Sequence, residues 1–267
     1  MITRIKYAGW LGMVAIAATF LVSCEKTFDN KHGIDDDQSN SSVVQFIVAT
    51  VNATRNHVFL DGTRITGSNL VSGSVFPSSG FGVEIAGGLR AFLVRDTLGT
   101  STQLPFSFAE NMKAASHQTV FLYDTITSPK QKTVIDNIVV PSDTTARVRF
   151  ASFAYLPTMQ LPAFDIYSAR RQANIFTNVR YTDVTEFVPI ASGVADTFYI
   201  RETGTTTNLQ NVTISTATPP APPVWSDIRL IWTPTMKRSY TLVFRGSYRT
   251  TNLASTHVRS FTLFANY

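Results

Sequence analysis

The segment Ala146-Arg147-Val148-Arg149-Phe150-Ala151-Ser152-Phe153 decides the fold class. Side chains of an extended strand alternate between two faces, so Val148 and Phe150 fall on one side and Arg147 and Arg149 on the other. That pattern predicts a strand with one face in a core and the other in water. The same reading holds for residues 239–245, where Tyr240, Leu242 and Phe244 alternate with Thr241, Val243 and Arg245. It holds again for 227–232, where Ile228, Leu230 and Trp232 oppose Arg229.

Outward from this segment, short apolar or alternating runs recur, separated by Gly, Pro, Asn and Ser. Before it they span residues 43–51, 57–60, 81–86, 89–95, 118–123 and 133–140. After it they span 163–167, 174–181, 185–190, 197–202, 211–216 and 257–265. Turns are expected at Asp61-Gly62, Gly87-Gly88 and Ser128-Pro129. No segment keeps a helical period over twelve residues. Nineteen Phe and nine Tyr, together with abundant Thr and Val, favour strands. The expected fold is all-β, two tandem immunoglobulin-like β-sandwich domains at 43–141 and 142–267. A single larger barrel is the alternative.

The two halves align as a repeat. Val44-Gln45-Phe46 matches Val148-Arg149-Phe150, Val58-Phe59-Leu60 matches Phe164-Asp165-Ile166, and Ile85-Ala86 matches Ile190-Ala191. Farther on, Phe92 to Thr97 matches Phe198 to Thr203, and Thr119 to Leu122 matches Tyr240 to Val243.

Several segments of the second half carry a family resemblance: Ala146 to Phe150, Phe164-Asp165-Ile166-Tyr167, Tyr181 to Ile190, and Phe198-Tyr199-Ile200-Arg201. In these the chain resembles the domain of unknown function 4397, common in bacterial surface lipoproteins and often tandem. The resemblance implies an exported β-sandwich and supplies no catalytic residues. The first half has residues 76–83 where the second has the Tyr181 to Val188 segment.

At the other end of the chain, Arg4 and Lys6 precede sixteen uncharged residues, Tyr7 to Val22. That is short for a membrane-spanning helix and suits the apolar region of a signal peptide. The run ends in Leu21-Val22-Ser23-Cys24, which resembles a lipoprotein lipobox, and Cys24 is the one cysteine. A thiolate is the nucleophile that acylation requires. Residues 1–23 therefore read as a lipoprotein signal peptide and 24–42 as the lipidated Cys plus a polar, flexible tether. By resemblance to enteric lipoprotein sorting, Glu25 rather than Asp after the Cys implies the outer membrane, facing either the periplasm or the cell surface.

A lone Cys excludes a disulfide framework and a Cys-rich zinc site. The chain has 23 basic and 18 acidic residues, and losing Arg4 and Lys6 with the signal leaves a net charge of only +3. Its arginines, Arg149, Arg245 and Arg259 among them, are scattered as on the solvent faces of strands, so nucleic acid is not an expected partner. Nucleophile-elbow, phosphate-loop, dinucleotide and His-Glu-x-x-His motifs are absent, and no cofactor or metal is expected. Trp225, Trp232, Tyr155 and Tyr248 are candidate ligand-stacking rings, with Phe153 and Tyr267 beside them, although core packing is the preferred reading of such residues. Asp183 and Glu186 are the carboxylates nearest to a glycosidase pair, with turn formation as the alternative.

The functional expectation is a lipid-anchored envelope protein with a non-enzymatic binding, adhesion or structural role. Its partners would be the membrane, through the anchor, and a surface glycan or envelope protein. A glycan-capturing accessory lipoprotein of an uptake system, or a glycan-active enzyme, are the alternatives.

Overall fold

The structure is a computed structural model that describes residues 38–157, 160–218 and 220–267. Leu21, Val22, Ser23 and Cys24, with the expected signal and most of the tether, lie outside the described residues.

A short 3-10 turn, Gln38–Asn40, leads into β1 at Ser41–Val48. The first strand thus begins two residues before the expected start of the first domain at 43. In the N-terminal half follow β2 (His57–Leu60), β3 (Thr63–Arg64), β4 (Val75–Phe76), β5 (Val83–Ala86) and β6 (Gly88–Arg95). Then come β7 (Phe106–Met112), β8 (Ser116–Thr125) and β9 (Ser128–Asp136). The C-terminal half holds β10 (Ala146–Ser152), β11 (Phe164–Ser168), β12 (Ala173–Val179), β13 (Val188–Ile190) and β14 (Asp196–Glu202). It continues with β15 (Gln210–Thr213), β16 (Val224–Asp227), β17 (Arg229–Trp232), β18 (Ser239–Arg245) and β19 (Ser260–Ala265).

The fold is all-β, as expected. Each half packs two sheets over its own core. In the N-terminal half the sheets are β3-β2-β6-β7 and β4-β1-β8-β9, with β5 also on β1. Between them lie Val44, Phe46, Val48, Val58, Phe92, Val94, Met112, Val120 and Leu122. In the C-terminal half the sheets are β12-β11-β14-β17 and β13-β10-β18-β19, plus a β15-β16 ribbon. Their core contains Val148, Phe150, Phe164, Ile166, Phe198, Ile200, Leu242 and Phe244.

Strand pairing bears on the repeat. In both halves the first strand runs parallel to a distant one, β1 with β8 and β10 with β18. Gln45 pairs with Thr119, and Arg149 with Thr241. Thr119 therefore corresponds to Thr241, one residue beyond the alignment read from sequence. Likewise Val58 pairs with Val94 and Ile166 with Ile200, so the second matched block shifts by two relative to the Phe92–Phe198 match. By the same pairing Asp136, opposite His117, corresponds to Asn266, which bonds Ser239.

The second face of the central strands is not wet. Ile47, Ala49 and Phe121 of one half meet Ala151, Phe153, Val243 and Phe264 of the other in a third apolar cluster. Phe121 and Phe153 stack with centroids 4.6 Å apart. Arg149, read from alternation as solvent-facing, is 2% exposed, and Thr241 and Val243 are fully buried. Small opposes large across this seam: Ala49 corresponds to Phe153, and Val134 to Phe264. The result is four layers in which the central strands of the two inner sheets, β1, β8, β10 and β18, are largely buried on both faces.

A polar network is sealed beside this apolar cluster. Arg149 Nε donates to Thr241 Oγ1 (2.8 Å) and Nη2 to Thr119 Oγ1 (3.1 Å). Nη2 also lies 2.6 Å from Asp136 Oδ1, off the N–H direction, so that oxygen is held by charge and not by a directed hydrogen bond. Thr119 donates to Asp136 Oδ2 (2.7 Å), and Asn266 Nδ2 donates to Gln45 Oε1 (3.1 Å). Phe187 lies against the Arg149 guanidinium, 4.7 Å from ring centroid to charge. The network spans both halves, so neither can part from the other without exposing an ion to an apolar surface.

Removing one member of such a pair strands the other charge, a loss of about 3–5 kcal/mol, whereas replacing both with apolar residues is far milder. Asp136→Ala should lower the urea midpoint sharply, and the double variant Arg149→Met with Asp136→Leu should lower it less than Asp136→Ala alone.

Candidate functional site

The seam between the halves is pseudo-symmetric, and its two sides differ. On one side it is filled. Lys132 of β9 donates through Nζ to Thr182 O (2.7 Å), Phe187 covers Arg149, and Tyr123 meets Tyr181 edge-on with centroids 6.0 Å apart. On the other side the corresponding positions hold smaller groups. Thr262 stands where Lys132 would be, Gln45 where Arg149 would be, and Gly82 where Phe187 would be, as β18-β19 and β1-β5 pairing fix them.

Gly82 is obligatory there: its φ is +150°, and a Cβ would lie 2.4 Å from a Val43 methyl. The stretch from Val75 to Val83 is four residues longer than its counterpart from Val184 to Val188, and it carries Pro77-Ser78-Ser79-Gly80 outward.

The outcome is an open groove of about 500 Å³. One wall is Pro77 to Phe81 with Gly73 and Val75; the other is Thr262 to Ala265 on the edge strand β19. Gln45 lines it, its Nε2 donating to Ala265 O at 2.9 Å. Phe81 stacks on Tyr267 with centroids 5.7 Å apart, and the Arg238 guanidinium lies 4.6 Å from the Phe81 ring centre. Behind the wall Arg245 Nε donates to Thr262 Oγ1 (2.6 Å), and burial lowers the Arg245 pKa. The guanidinium groups of Arg238 and Arg245 flank the groove, the first over Phe81 and the second against Gly73 and Thr262.

The rings expected from sequence go elsewhere. Trp232 packs edge-on to Tyr240 at 4.4 Å and against Phe198, so it belongs to the C-terminal core and is not a free platform. Phe153 is sealed in the seam. Tyr155 and Tyr248 are brought together by backbone, Tyr248 N–H donating to Tyr155 O at 2.9 Å. Tyr248 leans on Phe164 and Arg259, and its hydroxyl donates to Glu202. Trp225 is 57% exposed on the β15-β16 ribbon, away from the groove residues. Tyr267 does not line the groove but stacks on Phe81, which does. Asp183 closes a turn by accepting from Arg180 N–H (2.9 Å). Among the described residues no three His, Cys, Asp or Glu side chains gather as metal ligands.

The scattered arginines also need correction. Arg259 is 8% exposed and donates to Tyr248 O and Gln210 O, and its pKa is lowered, chiefly by burial. Phe81, Ser78, Ser79 and Thr262 were missed. The single hint in the sequence was the 76–83 stretch, which lacks the segment found in the other half.

No family model matches the chain, and no curated protein matches it.

Burial, then the bond to Glu202, pushes the Tyr248 hydroxyl up to about 12, above the ordinary value of 10.0. The folded state thus retains this proton at a pH where the unfolded chain has lost it, and the associated stability disappears as pH rises from about 10 to about 12. Tyr248→Phe should flatten the fall in urea midpoint across that window; an equally steep fall would show that other groups control alkaline unfolding.

Proposed function

We propose that this protein is a lipid-anchored component of the outer membrane with a non-enzymatic binding, adhesion or structural role. The observation that carries the reading is Cys24, the one cysteine, placed directly after Leu21-Val22-Ser23 at the end of a charge-free run. One acyl chain binds a bilayer only marginally, at ~0.8 kcal/mol per methylene, but two or three together hold permanently. Residues 25–37 would then tether the folded body to the bilayer. The finer architecture belongs to the same proposal: tandem immunoglobulin-like sandwiches related to the domain of unknown function 4397.

Two features of the folded part support a binding or structural role over catalysis. Asp183, one of the two carboxylates of the expected glycosidase pair, is spent on a turn. The open concavity is lined by the hydroxyl residues Ser78, Ser79 and Thr262 beside apolar residues, a set poor in groups that transfer protons. Binding partners are the membrane and, at the body, a surface glycan or an envelope protein.

Cells expressing the full-length chain and fed labelled palmitate should yield a labelled band in the outer-membrane fraction, and Cys24→Ser should yield none. An unlabelled wild-type band, or a wild-type protein recovered from the soluble fraction, overturns the proposal.

A further inference from the structure

One wall of the groove is the open edge of a sheet. β19 pairs on one side only, with β18. Phe153 N–H donates to Phe244 O, so Tyr240, Leu242 and Phe244 turn their backbone groups to β10, while Thr241, Val243 and Arg245 turn theirs to Phe264, Thr262 and Ser260. The backbone groups of Leu263 and Ala265 therefore aim outward, into the groove that both residues line. Ala265 O accepts from Gln45 Nε2 at 2.9 Å; among the described residues the Leu263 N–H and C=O and the Ala265 N–H make no hydrogen bond to another segment.

Free edges of this kind are normally blunted by charge, proline or irregular register. The other long edges of this protein are: β9 carries Pro129, Lys130 and Lys132, β7 carries Glu110, β17 carries Arg229, and β12 breaks register against β11. β19, Ser260-Phe261-Thr262-Leu263-Phe264-Ala265, has no charge, no proline and no register shift. Positive charge flanks it instead. Arg238, just before β18, lies half-buried over Phe81. Arg245, at the other end of β18, lies against Gly73 with the hydroxyls of Thr262 (2.6 Å) and Ser72 (3.4 Å) as its partners. Among the described residues neither guanidinium is ion-paired, in contrast to Arg149 with Asp136.

We infer that β19 takes an extended acidic peptide segment of a partner protein as an added strand in this groove. The inference deepens the binding role proposed above and rests on it. Strand addition draws its affinity from main-chain pairing, for which Leu263 and Ala265 hold out donors and an acceptor. Carboxylates on the added strand supply the counter-charge that Arg238 and Arg245 lack. A second copy of this chain fits the edge poorly, because pairing β19 with its twin brings like charges together. The facing wall, Pro77 to Gly80, belongs to no strand and so does not compete for the edge. Gln45, 3% exposed and bonded at both amide ends to Ala265 O and Asn266, holds the edge in place before binding, which lowers the ordering cost.

The test is fluorescence anisotropy of the labelled peptide Glu-Asp-Thr-Val-Thr-Val-Asp-Glu titrated with detergent-extracted full-length protein. Saturable binding is expected; Lys-Lys-Thr-Val-Thr-Val-Lys-Lys should not bind, and N-methylation of the acidic peptide's backbone amides should abolish binding. Arg238→Gln should weaken it by about fivefold, the size of an exposed ion pair, and Arg238→Glu by more, while Arg229→Gln, on the separate edge β17, should leave it unchanged. No binding of the acidic peptide, equal binding of the lysine peptide, or binding that survives N-methylation or Arg238→Glu overturns the inference. A dimer in sedimentation whose formation blocks the peptide assigns the edge to a second copy and also overturns it. Palmitate labelling of the same preparation is read separately, so absent peptide binding with label intact refutes the groove alone, and loss of label refutes the anchored protein.

Discussion

The fold depends on a buried ion pair, Arg149 against Asp136, placed where the two halves meet. Each ion is taken from water at a cost of several kcal/mol, and the geometry offsets that cost only because Thr119, Thr241, Asn266 and Phe187 complete the surroundings. Those partners come from both halves. The pair therefore fixes register: sliding one inner sheet past the other would leave an unpaired charge against Phe121 or Val243. The apolar cluster around it provides attraction without direction, and the polar network provides direction.

Corresponding strand pairings give this seam its pseudo-symmetry, and unequal side chains at corresponding positions give the protein its groove. The seam is closed where Lys132 of the N-terminal half and Phe187 of the C-terminal half fill it. Where the counterparts are Thr262 of the C-terminal half and Gly82 of the N-terminal half, with Pro77 to Gly80 in a longer loop, a concavity opens beside a rigid wall. The rigidity of the seam and the openness of the groove thus arise from the same strands, β1 and β19, at neighbouring positions.

Strand content was readable because alternation and aromatic richness are local properties. Residues 239–245 emerge as a strand with the bounds that period two dictated. β7 was invisible: Phe106 and Phe108 alternate, but Glu110-Asn111-Met112 has no β-branched residue, and the strand exists through pairing with β6 and the bonds of Glu110 to Gln131 and Thr133. Ser128-Pro129 looked like a turn and instead opens β9, the turn falling on Ile126 and Thr127. The dry second face was hidden for a different reason. Alternation reports that two faces differ; it does not report whether the more polar one meets water or a partner that supplies a counter-charge, so Arg149 looked like any surface arginine. The groove was hidden in the same way, since a missing side chain such as that at Gly82 shows only against its counterpart in the other half.

Joining of the two halves into one cooperative body is the central claim, and tryptophan fluorescence tests it directly. Beyond residue 23 tryptophan occurs only at 225 and 232, both in the C-terminal half. Met112 is 1% exposed in the N-terminal core, remote from those rings, and Met112→Ala should cost about 2–5 kcal/mol there. Fluorescence-detected urea unfolding of Met112→Ala should shift to lower urea together with the circular-dichroism transition. A fluorescence transition left at its original midpoint while the dichroism splits into two steps would mean that the halves fold independently, which would contradict the account.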